Sequence, residues 1–586
     1  MLDAGVWLLS HLLFAANLTR GGHLVEKVEK MSDTIPLYRG LAQAFRMEDV
    51  DTIFVLTGDG NMHWEAALSE NEEVRAFHVW HEHATCAMAS AYAVASGKVG
   101  VASVTCGPGV TQLMTALATA ADSRIPIVVF TGESPIHASW YNQRIDQASL
   151  VEATGAHYIA AHSLPRMFEY VREAFYVAKT ERRPVVLAIP IDLQQVQIPA
   201  DIKYVPSFNI IPDTGPMVPH PDYVARAVER IGQAARIIIV AGRGARSSGA
   251  KALCEQLAER CNGLLATTLP VRGMFDGNPR NLGIAGGFSH PAAREAFTEC
   301  DLVVAVGASL THHTTDGGKL FSHAAVLQID PAPQGIRHGQ TIERMFLRAD
   351  GTEGLSAVMK GLGNAPSHSR SAAWDALGLA ARTKTEPVDT TSFEIQPGLL
   401  DPRQLVTELG RVLPKDWEYV NGSGHNAFFT AQMQGGNDDH FLTIREFGAI
   451  GNELCYAVGA AAARPGNPII LTCGDGGLMM HGQELDTIRR YDLPVLICVM
   501  NDGAYGAEIH KLRADKLDDS GSMWARRPLA NIAKGFGLNG ATVTSLDQIA
   551  GLLEEFKATK QPTLWDFHIS DQVVSPMMRR AVARKT

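Results

Sequence analysis

At 586 residues the chain is too long for one hydrophobic core, so several domains are expected. Apolar content of 46% with 19% charged residues excludes a disordered or fibrous protein, and a net charge of −10 argues against a general nucleic-acid binder. Eight cysteines without a CxxC pair point to neither a zinc site nor a disulfide framework, and they fit a reducing cytoplasm.

The first element is "GVWLLSHLLFAANL" (5–18), an apolar stretch of 14 residues, short for a membrane span. The Met-Leu-Asp ahead of it lacks the basic residues of a signal peptide. Residues 1–33 are therefore expected to be an extension, with the folded protein beginning near Met31 and no membrane partner. From Thr34 the chain alternates short β-rich runs with helical patterns. "TIFVLTG" (52–58), "VGVASVTCG" (99–107), "IPIVVFTGE" (125–133) and "PVVLAIP" (184–190) have the Val/Ile content of buried parallel strands. The Ala-rich stretch 84–96 predicts a helix that permits a very close contact. A second block starts near Pro206, with strands in "ARIIIVAGRGAR" (235–246), "DLVVAVGASL" (301–310) and "AAVLQIDPAP" (324–333). Its Gly242-Arg243-Gly244 turn is half a dinucleotide fingerprint and lacks the third glycine. A polar, aperiodic segment between about 361 and 398 predicts a linker. Beyond it, "PIILTCGDGG" and "PVLICVMND" restart the strand–helix–strand pattern. The expected fold is α/β, with three parallel-sheet domains at 34–205, 206–370 and 398–586 and a linker at 371–397.

The stretch "CGDGGLMMHGQELDTIRRYDLPVLICVMND" (473–502) carries the chemistry. Gly474, Gly476 and Gly477 let backbone amides approach a ligand, and the following helix, placed near 483–489, points its N-terminus at the same spot. Asp475 would repel a phosphate there unless a divalent cation lies between, and Mg²⁺ takes one or two protein oxygens together with phosphate oxygens. Asn501 ends the next strand 26 positions later and can join Asp475 on that metal, with the Gly503 carbonyl as a third ligand.

This spacing resembles the thiamine-diphosphate motif of the acetolactate synthase and pyruvate decarboxylase type of enzyme. An independent half lies upstream: "HVWHEHATCAMASAYAVASGKVGVASVTCGPG" (78–109) resembles the family's pyrimidine-binding domain, and the middle block resembles its central domain. The resemblance runs from about Thr34 to near the C-terminus. It implies a thiamine-diphosphate-binding fold with pyrimidine-binding, central and diphosphate-binding domains. It also implies a Glu, here Glu82, whose carboxyl bonds to the aminopyrimidine ring and helps generate the nucleophilic carbon that the cofactor supplies. Gly107, Pro108 and Gly109 match the turn beside the pyrimidine. Ile450 in "EFGAIGNELCYAVGAA" (446–461) matches the apolar residue that bends the cofactor. Gly424, His425 and Asn426 match the diphosphate-contacting loop, where acetolactate synthases usually carry Gln-His.

Other positions depart from the acetolactate synthase pattern. His83 replaces the usual Gln, Trp80 the usual Arg, and "TGDGNMHWEAAL" (57–68) the Pro-Gly-Gly turn. "NDGAYGAEIHKL" (501–512) is similar in layout to the pyruvate decarboxylase type, with Tyr505 at the cofactor and Glu508 as a candidate acid. His481 is a further candidate proton carrier. The expected activity is a thiamine-diphosphate- and Mg²⁺-dependent carboligase or lyase acting on a 2-oxo acid. The alternatives are a simple 2-oxo acid decarboxylase and a noncatalytic cofactor-binding subunit. Family likeness implies a small-molecule substrate, a homodimer at the least and a homotetramer as the expected assembly. Some relatives hold FAD in the central domain, and nothing in "PVRGMFDGNPRNLG" (270–283) supports it here.

Overall fold

The computed structural model describes residues 33–333, 343–363, 374–433, 435–436 and 438–583. The extension expected at 1–33 lies outside the described residues except for Asp33.

Three parallel sheets of six strands follow one another along the chain. The first runs, in spatial order, through Arg75–His78, Thr52–Val55, Gly100–Val104, Ile127–Glu133, Val185–Pro190 and His157–Ala160. The third runs through Phe441–Leu442, Glu418–Asn421, Ile469–Gly474, Val495–Asn501, Thr563–His568 and Asn539–Val543. Numbered within each domain, both read 2-1-3-4-6-5, so the two outer domains share one topology. The central sheet, Asn281–Ile284, Leu264–Thr267, Ile237–Ala241, Leu302–Val306, Ala325–Asp330 and Arg344–Arg348, reads 3-2-1-4-5-6, the dinucleotide-binding order. Its middle strands are wholly buried runs of Ile and Val, as strands covered by helices on both faces must be.

Inside the segment expected as a linker, Ala376–Thr385 is a helix. Trp374, Ala376 and Ala380 pack into the core of the central domain, so that layer extends past residue 371.

The two outer domains meet through equivalent helices. Glu82–Ser96 and Glu453–Ala463 each follow the second strand of their sheet and pack on each other. Alanine and glycine permit the close approach. A Cβ on Gly459 would sit 2.2 Å from Met88 O and 2.9 Å from the Ala91 methyl. The edge strand Arg75–His78 completes the junction. The His78 amide donates to Tyr491 Oη at 2.8 Å, and Arg75 donates to Ala462 O at 2.8 Å.

Candidate active site

In open α/β sheets ligands bind where the strand order reverses, outside the C-terminal ends of the strands. In the third domain that point lies between Glu418–Asn421 and Ile469–Gly474, whose C-terminal ends lead into residues 422–426 and 475–477. The helix begins at Asp475 itself (Asp475–Met480), ahead of the one expected near 483–489, which is Glu484–Arg490. Gly474 is extended and turns the chain directly into the helix, so the amides facing the crevice belong to residues 475–477. Two glycines there are required by close approach. A Cβ on Gly474 would lie 2.7 Å from Asn426 Nδ2, and one on Gly476 would lie 2.8 Å from the Tyr505 ring.

Asp475 is buried and accepts the Trp524 indole N–H at Oδ2, 3.0 Å away. Burial raises its carboxyl above the usual range. Asp502, which sequence reasoning passed over, lies beside it; burial and then the Asp475 charge push its carboxyl well up. Asn501 closes the adjacent strand, fully buried. Its Nδ2 donates to Asp566 Oδ1 at 2.9 Å and Arg527 O at 3.3 Å, while its Oδ1 has no partner among the described residues. A buried acceptor held in place and left unpaired is costly, and a cation beside two raised carboxyls would satisfy it. Gly503 has φ +70°, and its carbonyl accepts the Trp524 amide at 2.8 Å, leaving a second lone pair. The oxygen-rich donor set of Asp475, Asn501 and the Gly503 carbonyl fits Mg²⁺.

Around this centre, Gly424 has φ +93° and its Cβ position lies 3.9 Å from Ile450 Cγ2, which places the half-buried Ile450 at the crevice. Asn426 Oδ1 is also unpartnered, and Glu453 Oε1 accepts the Ser423 amide at 3.0 Å and holds the loop. The His425 ring turns inward. Its Nε2 accepts the Ser575 amide at 3.1 Å, the ring lies 4.5 Å from that of His510, and burial keeps it neutral. Tyr505 packs edge-on against Trp524, ring centroids 4.8 Å apart. Glu508 is exposed on the helix Gly506–Ala514 and pairs with Lys511 at 3.0 Å. Asp566 and Trp524 carried no signal in the sequence; Asp502 did, as the acid directly after Asn501.

Glu82 opens its helix, half-buried, with no ion pair or side-chain hydrogen bond among the described residues. His81 caps that helix by accepting the His83 amide at 3.1 Å. His83 bonds to Asn452 Oδ1 and stacks on His481, ring centroids 4.6 Å apart, while His81 lies 5.6 Å from His481. His481 Nδ1 donates to Gly451 O at 2.9 Å. Burial lowers His83 to about 4 and also depresses His481, so both rings are neutral at pH 7. Trp80 anchors the same junction, its amide to Glu484 at 3.0 Å and its indole to Asp486 at 2.7 Å.

The first domain places Gly107-Pro108-Gly109 at its own switch point. Gly107, with φ +62°, donates its amide to Gln147 Oε1 at 2.7 Å. In the central domain, a Cβ on Gly242 would lie 2.3 Å from Gly307 O, and one on Gly244 would lie 2.7 Å from Gly307 Cα. Tight packing of the two loops accounts for those glycines without a nucleotide.

Comparison with known proteins agrees along the chain. Residues 37–150 match the family description "Thiamine pyrophosphate enzyme, N-terminal TPP binding domain", residues 224–358 its central domain and residues 422–567 its C-terminal TPP binding domain. The chain is 31% identical to an acetolactate synthase large subunit of Parasynechococcus marenigrum, over 92% of this chain and 88% of that one. It is 28% identical to a probable acetolactate synthase large subunit of Methanococcus aeolicus, over 90% and 91% of the two chains. It is 27% identical to the acetolactate synthase isozyme 2 large subunit of Escherichia coli, over 90% and 94%.

Proposed function

Because the chain belongs to the thiamine pyrophosphate enzyme family, we propose that it is a thiamine-diphosphate- and Mg²⁺-dependent carboligase of the acetolactate synthase type, acting on a 2-oxo acid. The observation that carries the metal reading is the buried, unpartnered Oδ1 of Asn501 beside Asp475 at the switch point. Asp475, Asn501 and the Gly503 carbonyl would hold the cation, and Gly424, Asn426 and Gly474 would line the diphosphate. When bound, the cofactor would supply the nucleophilic carbon needed for chemistry at a 2-oxo acid carbonyl. Ile450, half-buried beside Gly424, would exclude water there and support the cofactor on its apolar side. The Glu82 carboxyl holds a proton at the aminopyrimidine ring, and His83, through Asn452, fixes the helix end that carries it. Glu508, exposed and paired with Lys511, gives the simple decarboxylase the weaker case.

The working unit in this reading is a homodimer, with a homotetramer as the larger assembly. Large apolar side chains stand exposed in the third domain (Phe447, Met479 and Leu517) and on the segment that follows the fourth strand of the first domain (Ile136, Trp140 and Ile145). Pairing these faces between two copies would bury both and bring a GPG turn to a GDGG turn. The eight buried free cysteines suit a reducing cytoplasm. Among the described residues no helix is long and apolar enough to cross a membrane.

The test is a panel of 2-oxo acids, each with and without an acceptor 2-oxo acid or aldehyde, read by mass spectrometry. Ligated products that require both thiamine diphosphate and Mg²⁺ are expected. Aldehyde alone from every donor would overturn carboligation in favour of simple decarboxylation.

A further inference from the structure

Residues 522–529 form a strap over the cation site and engage each of its proposed ligands. Met523 bridges Ala504 in antiparallel fashion and the Tyr505 amide donates to Ser522 O at 2.9 Å, so the strap is tied to the loop that follows Asn501. Arg526 Nε donates to Asn501 O at 3.3 Å. The Arg527 carbonyl accepts Asn501 Nδ2 at 3.3 Å, and the Leu529 amide donates at 3.1 Å to Asp566, the residue that orients Asn501. Trp524 makes the most direct contacts. Its backbone N–H bonds to the Gly503 carbonyl at 2.8 Å, and its indole N–H bonds to Asp475 Oδ2 at 3.0 Å. The ring is held for that purpose, edge-on to Tyr505 at 79°, over Gly476, where a Cβ would lie 3.3 Å from the indole.

We propose that Trp524 is a positioning residue of the cation site. Its two N–H groups aim the Asp475 carboxylate and the Gly503 carbonyl. One carboxylate oxygen is taken by the indole, which restrains the group together with the neighbouring Asp502 and would leave Oδ1 for the metal. The carbonyl keeps a second lone pair for the metal after accepting the Trp524 amide. The consequence is selective. Mg²⁺ demands near-ideal octahedral geometry, whereas Ca²⁺ tolerates irregular ligand sets. A carboxylate freed to rotate should therefore harm Mg²⁺ binding more than Ca²⁺ binding.

This inference rests on the reading of Asp475, Asn501 and Gly503 as metal ligands. Trp524→Phe keeps an aromatic ring beside Tyr505 and keeps the backbone N–H, and removes the indole donor with part of the ring. Calorimetric titration of Mg²⁺ and of Ca²⁺, each with saturating thiamine diphosphate, is the experiment. Loss of a hydrogen bond to a charged group predicts about a tenfold weaker Mg²⁺ affinity, with Ca²⁺ affinity falling by less than about threefold. Equal losses for both cations, or none, would overturn the proposal. Wild-type protein that binds neither cation would instead overturn the functional reading beneath it. A second measurement uses the wild type alone. Hydrogen exchange over residues 522–529 should slow when Mg²⁺ and thiamine diphosphate are added, because the Trp524 amide stays on Gly503; faster exchange would mean the strap is expelled on binding and would refute it.

Discussion

Replacing Asn501 by Leu separates two tasks of one side chain. Nδ2 donates to the buried Asp566 carboxylate at 2.9 Å, and Oδ1 is buried without a partner. A bond to a carboxylate contributes about 1.5–3 kcal/mol, while an unsatisfied interior acceptor costs about 1–3 kcal/mol. Leucine, branched at the same carbon but larger, removes both. Asp566 keeps the Leu529 amide on Oδ2 at 3.1 Å, while its Oδ1 loses the Asn501 donor. The two effects oppose each other, so, apart from the cost of seating the larger side chain, the cofactor-free protein should change stability by no more than about 2 kcal/mol. Cation binding has no such compensation. Loss of one ligand should weaken Mg²⁺ at least about 100-fold, or about 2.8 kcal/mol. Thermal melting and calorimetry read both quantities. At a ligand concentration 100 times its Kd the wild type should gain about 2.7 kcal/mol, and Asn501→Leu nearly none. Unchanged Mg²⁺ binding would refute Asn501 as a ligand. Collapse of the cofactor-free variant would refute the cancellation.

Glu82→Gln should bind thiamine diphosphate normally and lose about 10²–10⁴-fold in turnover, and near-wild-type turnover would remove Glu82 from the chemistry. Gly459→Val drives a side chain into the backbone at Met88, 2.2 Å from the Cβ position. Overpacking should cost about 1–3 kcal/mol in urea unfolding, and an unchanged midpoint would contradict the helix contact. His83 falls from about 6.5 to about 4 on folding, so the unfolded chain takes up a proton there that the folded one does not. Its contribution is fully present above pH 6.5 and is lost as pH falls towards 4, by about 3 kcal/mol at most. His83→Gln should flatten the decline in thermal stability between pH 7 and pH 5, and an equally steep decline would assign the titration to His481 or His510.

Strands rich in Val and Ile were legible because burial on both faces writes itself as an apolar run; Ile127–Glu133, Ile237–Ala241 and Val495–Asn501 are of this kind. Edge strands were not. Arg75–His78 has one charged end exposed, Phe441–Leu442 has two residues, and Asn539–Val543 is half solvated, so none has a readable period. The glycine turn at 474–477 was legible because its residue types have few other uses. Asp566 and Trp524 were not, because long-range pairing brings them to Asn501: Thr563–His568 lies beside Val495–Asn501 in register, 65 positions on. The ring of His425 turned inward for a similar reason, since Ser575, its partner, comes from the far end of the chain.

The duplicated topology sharpens why only one of the chain's switch points reads as a cation site. The first domain has the same strand order and a glycine turn at the same place, yet its crevice is filled by its own groups. A Cβ on Gly132 would lie 2.6 Å from Gly60 Cα, Gln194 donates to Gly60 O at 3.0 Å, and Gln147 accepts the Gly107 amide. The central domain closes its switch point with Gly307 against Gly242 and Gly244. Among the described residues, the buried amide and carboxyl oxygens without partners are those of Asn426, Glu453 and Asn501, all in the third domain. Topology supplies three candidate crevices, and unsatisfied oxygens choose among them. By the same reasoning the GPG turn does not read as a second metal site: its Gly107 amide is already taken by Gln147 Oε1 at 2.7 Å, and under the proposed function the turn would face a neighbour's cofactor.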